Sequence, residues 1–396
     1  MLSKFKYFIG VFLLGLLLGP FSSVLFISIF HFPMVVPELI FIPILFKYYD
    51  RFGIRLDRKP IFMNVILLWL LFLLFAIVWK TWNLTAILST GRSFLILGLF
   101  YVIGKNITRN VALLKFLLIV SIGSIVGWVI KSYLNILLLP LSDGYGESVV
   151  YGNMISIAIG FSIALLAKAK YSMLLAIFSL NVFLSFTTAL RRQIIVSFMS
   201  LGLSLSLLSV KFKRFGYLVI VLIMSIPIYV ALPQIEEMVL EISPNMHKRI
   251  FERSQNLIIG VSGHSEQSRI DNQFKIFSDF RDLIIPHGYV SQQTSTDAGT
   301  GIFNDVPIYM LSYSFGIIVV LFYLLCYFFR LVRSLMLFIR NGNVYYGVIF
   351  VVGSVTLFLH FVDSQMFTVS YSAPFTGLIL GLLFRNDKLN HSINSI

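Results

Sequence analysis

At 396 residues, with 58% hydrophobic and 12% charged side chains, the chain has too little polar surface to cover a soluble globule. A mean hydropathy of +0.90 points instead to a polytopic membrane protein. The net charge of +14 then reads as orientation in a bilayer rather than as affinity for nucleic acid.

Apolar runs long enough to cross about 30 Å of hydrocarbon fall at 7–30, 33–49, 61–79, 86–104, 111–133, 148–167, 171–190, 193–210, 215–232, 306–329, 344–362 and 366–384. They predict an all-α integral membrane fold of about twelve transmembrane helices. Residues 1–232 form a bundle of nine spans, 233–305 an extracytoplasmic loop, and 306–396 three more spans with a short tail. The first run follows Lys4 and Lys6 and has no small-residue cleavage site, so it reads as a signal anchor. With the N-terminus inside, twenty lysines and arginines fall in cytoplasmic segments and five in the short outer ones. That asymmetry satisfies the positive-inside rule and predicts both termini in the cytoplasm.

The outer turn before the sixth run reads Asp143-Gly-Tyr145-Gly-Glu147, followed by Tyr151-Gly-Asn153. Acids, tyrosines and an amide together suit stacking and hydrogen bonding with sugar rings, which makes Tyr145, Glu147, Tyr151 and Asn153 candidate sugar ligands. The bland reading is a glycine-rich turn with interfacial tyrosines. Glu38, His360 and Asp363 also fall near outer helix ends; each alone reads as a hydrated interfacial residue.

Between the seventh and eighth runs comes Ser185-Phe-Thr187-Thr188-Ala-Leu-Arg191-Arg192-Gln193, a tight outer turn with two arginines at the start of a span. A cation there opposes the helix dipole. A bound diphosphate removes the conflict, because the helix end offers N–H groups and each guanidinium a planar fork of donors. Thr187 and Thr188 add hydroxyls. The competing reading is that both arginines reach lipid phosphates or loop carboxylates.

The loop 233–305 carries ten acidic and six basic residues, opposite in sign to the whole chain. Ile235, Met238, Val239 and Ile242 recur at helical spacing and predict an amphipathic helix at the interface. Arg249 and Arg253 share a face on a second helix, and Arg269 accompanies a third. Arg269 is also placed to pair with Glu266 or Asp271 on its own helix. From His287 to Asn304 the composition predicts an irregular loop. Asp305, followed closely by Pro307, fits either a general base or the N-cap of the tenth span. The single cysteine, Cys326, excludes an internal disulfide.

The order of these features resembles the Wzy-type bacterial polysaccharide polymerases and the related O-antigen ligases, which carry ten to fourteen spans and a large external loop before the last few. At residue level the similarity lies in two patches. One is Thr187 to Arg192. The other runs from Ser268-Arg269 through Pro286-His287-Gly288-Tyr289 to Asn304-Asp305, then Tyr309 to Gly316. Ligases typically place a histidine where this chain has Asn304-Asp305, so the polymerase branch is the better fit, with His287 and His264 keeping the ligase reading open.

The resemblance implies glycosyl transfer at the outer face of a bacterial inner membrane, from a glycan on undecaprenyl diphosphate to a lipid-linked repeat unit. Arg191, Arg192 and Arg269 would clamp the diphosphate, with Arg249 and Arg253 behind them. Asp305, or His287 in second place, would take the hydroxyl proton. No cofactor or metal is implied, and no nucleotide-binding glycine loop or metal-spaced ligand set stands in the sequence. Expected partners are undecaprenyl-diphosphate-linked oligosaccharides, the lipid bilayer, and a chain-length regulator and flippase, with no nucleic acid. A lipid-linked oligosaccharide flippase is the rival from another class. It predicts two related halves and mid-membrane charges, unlike this 9 + 3 plan. A glycosyltransferase of the rod-shape family also uses lipid diphosphates, but its motifs are absent.

Overall fold

The computed structural model describes residues 2–18, 96–107, 110–138, 154–167, 191–213, 315–362 and 373–385, with isolated positions between 216 and 312. Every element among the described residues is helical. In chain order these are α1 (Leu2–Leu18), α2 (Ile96–Asn106), α3 (Asn110–Leu138), α4 (Met154–Leu166), α5 (Arg191–Phe212), α6 (Ile317–Asn341), α7 (Val344–Val362) and α8 (Ala373–Leu383). Four stretches are long and apolar enough to cross a membrane: Ala112–Ile130, Ile195–Phe212, Ile317–Asn341 and Val344–Phe361. Helices of this length and hydropathy are those of a membrane protein. The expected spans at 33–49, 61–79 and 171–190, nearly all of 215–232, and most of the loop 233–305 lie outside the described residues.

Buried polar contacts and apolar packing centre on α4, whose residues are almost all buried. It is apolar on every side, as a helix enclosed by other helices must be. α3, α5, α7 and α8 all touch it. Ser121 of α3 donates to the carbonyl of Ser156 on α4 at 2.7 Å, and Ser156 meets Ser124 at 3.5 Å. Such small hydroxyl residues let helix backbones approach while satisfying one another.

Glycines set the two closest crossings. A Cβ on Gly15 of α1 would meet the Val120 carbonyl of α3, and one on Gly123 would meet the Phe12 carbonyl and stand 3.1 Å from the Gly15 Cα. On α8, Gly377 lies against the Leu97 carbonyl and Gly381 against the Tyr101 carbonyl of α2, while Gly104 of α2 faces Leu378. Leu97 pairs with Gly377, Tyr101 with Gly381, and Ile107 with Arg385. α2 and α8 therefore run parallel.

α6 and α7 form an antiparallel hairpin. Gly342 ends α6 in the left-handed conformation, φ 60°, and donates to the Phe338 carbonyl at 2.8 Å. Asn343 then caps α7 by accepting the Tyr345 N–H at 3.0 Å. One stripe of α6, Val320, Tyr327, Leu331, Ser334 and Phe338, is buried. Its other side exposes Phe322, Leu325, Phe329 and Met336, apolar residues suited to lipid rather than water.

The sequence placed this span at 306–329 and Arg330, Arg333 and Arg340 in the cytoplasmic segment after it. α6 instead starts at Ile317 and continues through all three to Asn341. Gly316, at φ 85°, interrupts the chain before it. A helix runs on through arginines readily, because their long stems lie along apolar surface while the charged head reaches the interface. The expected range 344–362 coincides with α7, Val344–Val362, and α5 begins two residues before the expected start at 193.

Candidate functional site

Two polar features stand out against the apolar bundle, one at each end. The lower one is defined by contacts among helix termini. Arg385, just beyond α8, is 4% exposed and donates from Nη1 to the Ile107 carbonyl at the end of α2, at 2.8 Å. Its guanidinium carbon lies 4.5 Å from the centre of the Tyr345 ring, near the start of α7. Lys211 of α5 reaches the α6–α7 turn, 3.9 Å from where a Cβ on Gly342 would stand. Leu166, ending α4, packs on Gly347 of α7. The C-termini of α2, α4, α5, α6 and α8 and the N-terminus of α7 thus share one end of the bundle. Lys105, Lys211, Lys213, Arg340 and Arg385 gather there. Cations at helix C-termini complement the helix dipoles.

The opposite end contains a buried knot between α6 and α7. His360 is fully buried, and its Nδ1 lies 2.6 Å from the Thr356 carbonyl one turn earlier. A backbone carbonyl only accepts, so Nδ1 carries hydrogen. In the neutral ring Nε2 is then the acceptor for the Tyr323 hydroxyl at 2.7 Å. Tyr327, one turn below Tyr323, donates to the Gly353 carbonyl at 2.7 Å, and its ring sits edge-on to His360 at 5.5 Å. The expectation of a hydrated interfacial histidine is corrected: His360 is an enclosed, hydrogen-bonded linker of two spans. Tyr323 and Tyr327 escaped the sequence reading, although two tyrosines at i and i+4 in an apolar run are a usable signal for a buried polar partner.

Arg191 and Arg192 are the first two residues of α5. Lys211 lies twenty positions later, so the pair stands about 30 Å along the helix from the basic end. Thr187, Thr188, Tyr145, Glu147, Tyr151, Asn153, Arg249, Arg253, Arg269, His287 and Asp305 lie outside the described residues, as do Glu38 and Asp363. In the loop, Pro233, Gln234, Glu236, Glu237, Met238, Leu240 and Glu241 are helical, in keeping with the amphipathic helix expected there. Met238 is 57% exposed, as a membrane-facing or roofing residue would be.

Set beside known proteins, the chain matches no family model and no curated sequence. Function must therefore be argued from the residues themselves. Chemically, the knot holds a histidine with both ring nitrogens engaged, which suits linking spans better than exchanging protons. Arg191 and Arg192 are the first two residues of α5, and a helix N-terminus is a place that attracts anions.

Proposed function

We propose that the protein is a glycosyltransferase that polymerises lipid-linked oligosaccharide repeat units at the outer face of a bacterial cytoplasmic membrane. The observation that carries this reading is the position of Arg191 and Arg192: they open α5 at the end of the bundle away from its clustered lysines and arginines. By the positive-inside rule the clustered end faces the cytoplasm, which sets the pair on the outer side. The twelve-span plan, cytoplasmic termini and external loop of 233–305 belong to the same reading.

In the proposed reaction, an acceptor hydroxyl on one repeat unit attacks the anomeric carbon of the growing glycan. The bond from that carbon to the diphosphate oxygen breaks, and undecaprenyl diphosphate leaves with the electron pair. Arg191 and Arg192, assisted by Arg269 and by Arg249 and Arg253, stabilise the charge developing on the leaving group. Asp305, or His287 in its place, accepts the hydroxyl proton. Thr187 and Thr188 add donors to the phosphate oxygens. Tyr145, Glu147, Tyr151 and Asn153 hold sugar rings by stacking and hydrogen bonds. No nucleotide or metal enters this scheme. A chain-length regulator and a flippase supplying repeat units are its expected partners.

Deletion of the gene in its host tests this reading. Surface glycan is resolved by size and lipid-linked precursors are assayed on each face of the membrane. Single repeat units on the outer face, without long chains, support a polymerase. Full-length chains stranded on their carrier outside would make the protein a ligase. Repeat units trapped inside would make it a flippase. Unchanged glycan would reject all three.

A further inference from the structure

A shallow notch, with enclosed room for about one water, opens at the basic end where α6, α7 and α8 meet. Arg330 and Arg333 of α6 and Arg385 after α8 line it, with Tyr345 and Tyr346 of α7 beside them. The three guanidiniums are graded in depth. Arg385 lies almost fully buried at the floor, Arg330 is half-buried, and Arg333 is exposed at the mouth. Two of them are held against aromatic rings: Arg385 over Tyr345 at 4.5 Å and Arg330 over Phe384 at 5.7 Å. Arginine heads stacked in this way are fixed in direction before any ligand arrives.

The remaining walls are apolar, formed by Leu337, Ile349, Leu382 and Leu383. Beside the mouth, the outward side of α6 exposes Phe329 at 69%, Met336 at 60% and Ile339 at 52%. One site therefore joins a focus of positive charge to a lipid-facing apolar surface. A free anion uses only the first of these; a phospholipid uses both, its phosphate on the arginines and its acyl chains along α6.

We propose that Arg330 and Arg333, at the mouth of this notch with Arg385 behind them, bind the phosphate headgroup of an anionic phospholipid from the leaflet at the basic end of the bundle. The site is separate from the start of α5 and does not depend on the glycosyltransferase reading.

The test uses full-length protein in nanodiscs of phosphatidylcholine doped with cardiolipin or phosphatidylglycerol. Lipid that stays with the protein on release from the disc is identified by native mass spectrometry. Wild-type protein is expected to retain the anionic lipid preferentially. In Arg330→Gln/Arg333→Gln retention should fall about tenfold or more, since each cation near a headgroup contributes on the order of 1 kcal/mol and two are removed. Lys213→Gln, which removes an exposed cation at the same end but outside the notch, should retain lipid like wild type. Should the double variant unfold, Arg330→Lys/Arg333→Lys replaces it; point charges without the planar fork should bind more weakly than wild type but above phosphatidylcholine background. Equal retention of zwitterionic and anionic lipid by wild type would overturn the proposal, as would equal retention by wild type and the double variant. Displacement of the lipid by millimolar inorganic phosphate would also overturn it, showing a site for free phosphate.

Discussion

The Tyr323 hydroxyl and His360 Nε2 stand 2.7 Å apart and tie α6 to α7 near the end of the hairpin farthest from its turn. The turn fixes one end through Gly342 and Asn343, and this bond fixes the other, so the two spans are pinned at both ends. Between these pins Tyr327 reaches the Gly353 carbonyl, a second bond across the same interface. Within hydrocarbon, a polar group with its partner removed has no water to turn to.

Tyr323→Phe removes the donor and leaves the ring in place. Unfolding in detergent should show a loss of about 0.6–1.7 kcal/mol, the range for hydrogen bonds between spans. His360→Ala should cost more, because it adds a packing defect in a fully buried position. The double variant should cost less than the sum of the two. Strict additivity would mean that the 2.7 Å contact contributes nothing to stability.

Glycines provide a sharper contrast within single helices. Gly98 and Gly104 both belong to α2, yet a Cβ on Gly98 meets nothing within 4 Å, while one on Gly104 comes 2.5 Å from the Leu378 carbonyl and 3.1 Å from the Gly381 Cα. Gly98→Ala should leave the melting temperature unchanged or raise it, since alanine is the better helix former by about 1 kcal/mol. Gly104→Ala, Gly377→Ala and Gly381→Ala press a methyl group onto backbone that cannot rotate away. Each should cost about 1–3 kcal/mol, the usual penalty of overpacking. Equal melting temperatures for Gly98→Ala and Gly377→Ala would mean that α2 and α8 do not cross this closely.

Hydropathy found these helices but not which of them touch. The run at 344–362 was legible to the residue, because it is apolar, free of internal charge and bounded by a Gly-Asn turn. The expected run at 306–329 is helical at Ile308, Leu311, Ser312 and Phe315 before the break at Gly316, and α6 then continues twelve residues past the expected end, through three arginines. Pairing is less visible still. Nothing in the spacing of Gly377 and Gly381 says that their partner is α2, some 280 positions earlier, since a glycine pair fits any closely approaching backbone. His360 was noticed as a lone ionisable residue, but its role depended on Tyr323, whose side chain reads as interfacial until the hairpin is folded. Of the candidate site, the described residues include only the backbone of Arg191 and Arg192.

The α6–α7 turn depends on backbone handedness at one residue. Gly342 adopts φ 60°, and the space around it is open, with Lys211 Cε at 3.9 Å as the nearest neighbour of an added Cβ. Gly342→Ala should therefore cost only the left-handed conformation, about 1 kcal/mol, and Gly342→Asn less, because asparagine tolerates that region. Thermal melts of the two variants should rank Gly, Asn, Ala. A loss in Gly342→Ala much above 2 kcal/mol would indicate a clash that the open surroundings argue against.

Arg191 and Arg192 bear most directly on the proposed chemistry. Arg191→Ala, and Arg269→Ala in the loop, should abolish long glycan chains while protein level in the membrane stays normal. Removing one preorganised donor to a developing oxyanion commonly costs 10²–10³-fold, about 3–4 kcal/mol, in turnover. Arg191→Lys should recover only part of the loss, since a lysine supplies the charge without the fork that engages two phosphate oxygens. Lys213→Ala serves as the control. It removes a cation from the other end of α5, more than 20 positions and about 33 Å along the helix, where no role in leaving-group stabilisation is assigned. Glycan ladders, scored beside immunoblots of the membrane fraction, distinguish a chemical role from a folding one. If all three alanine variants made full-length polymer, the arginines would be ordinary interfacial anchors and the diphosphate clamp would be rejected. If Arg191→Ala protein were missing from the membrane, its start-of-helix role would be structural, and Arg191→Lys, which preserves the anchor, would then restore level and polymer together.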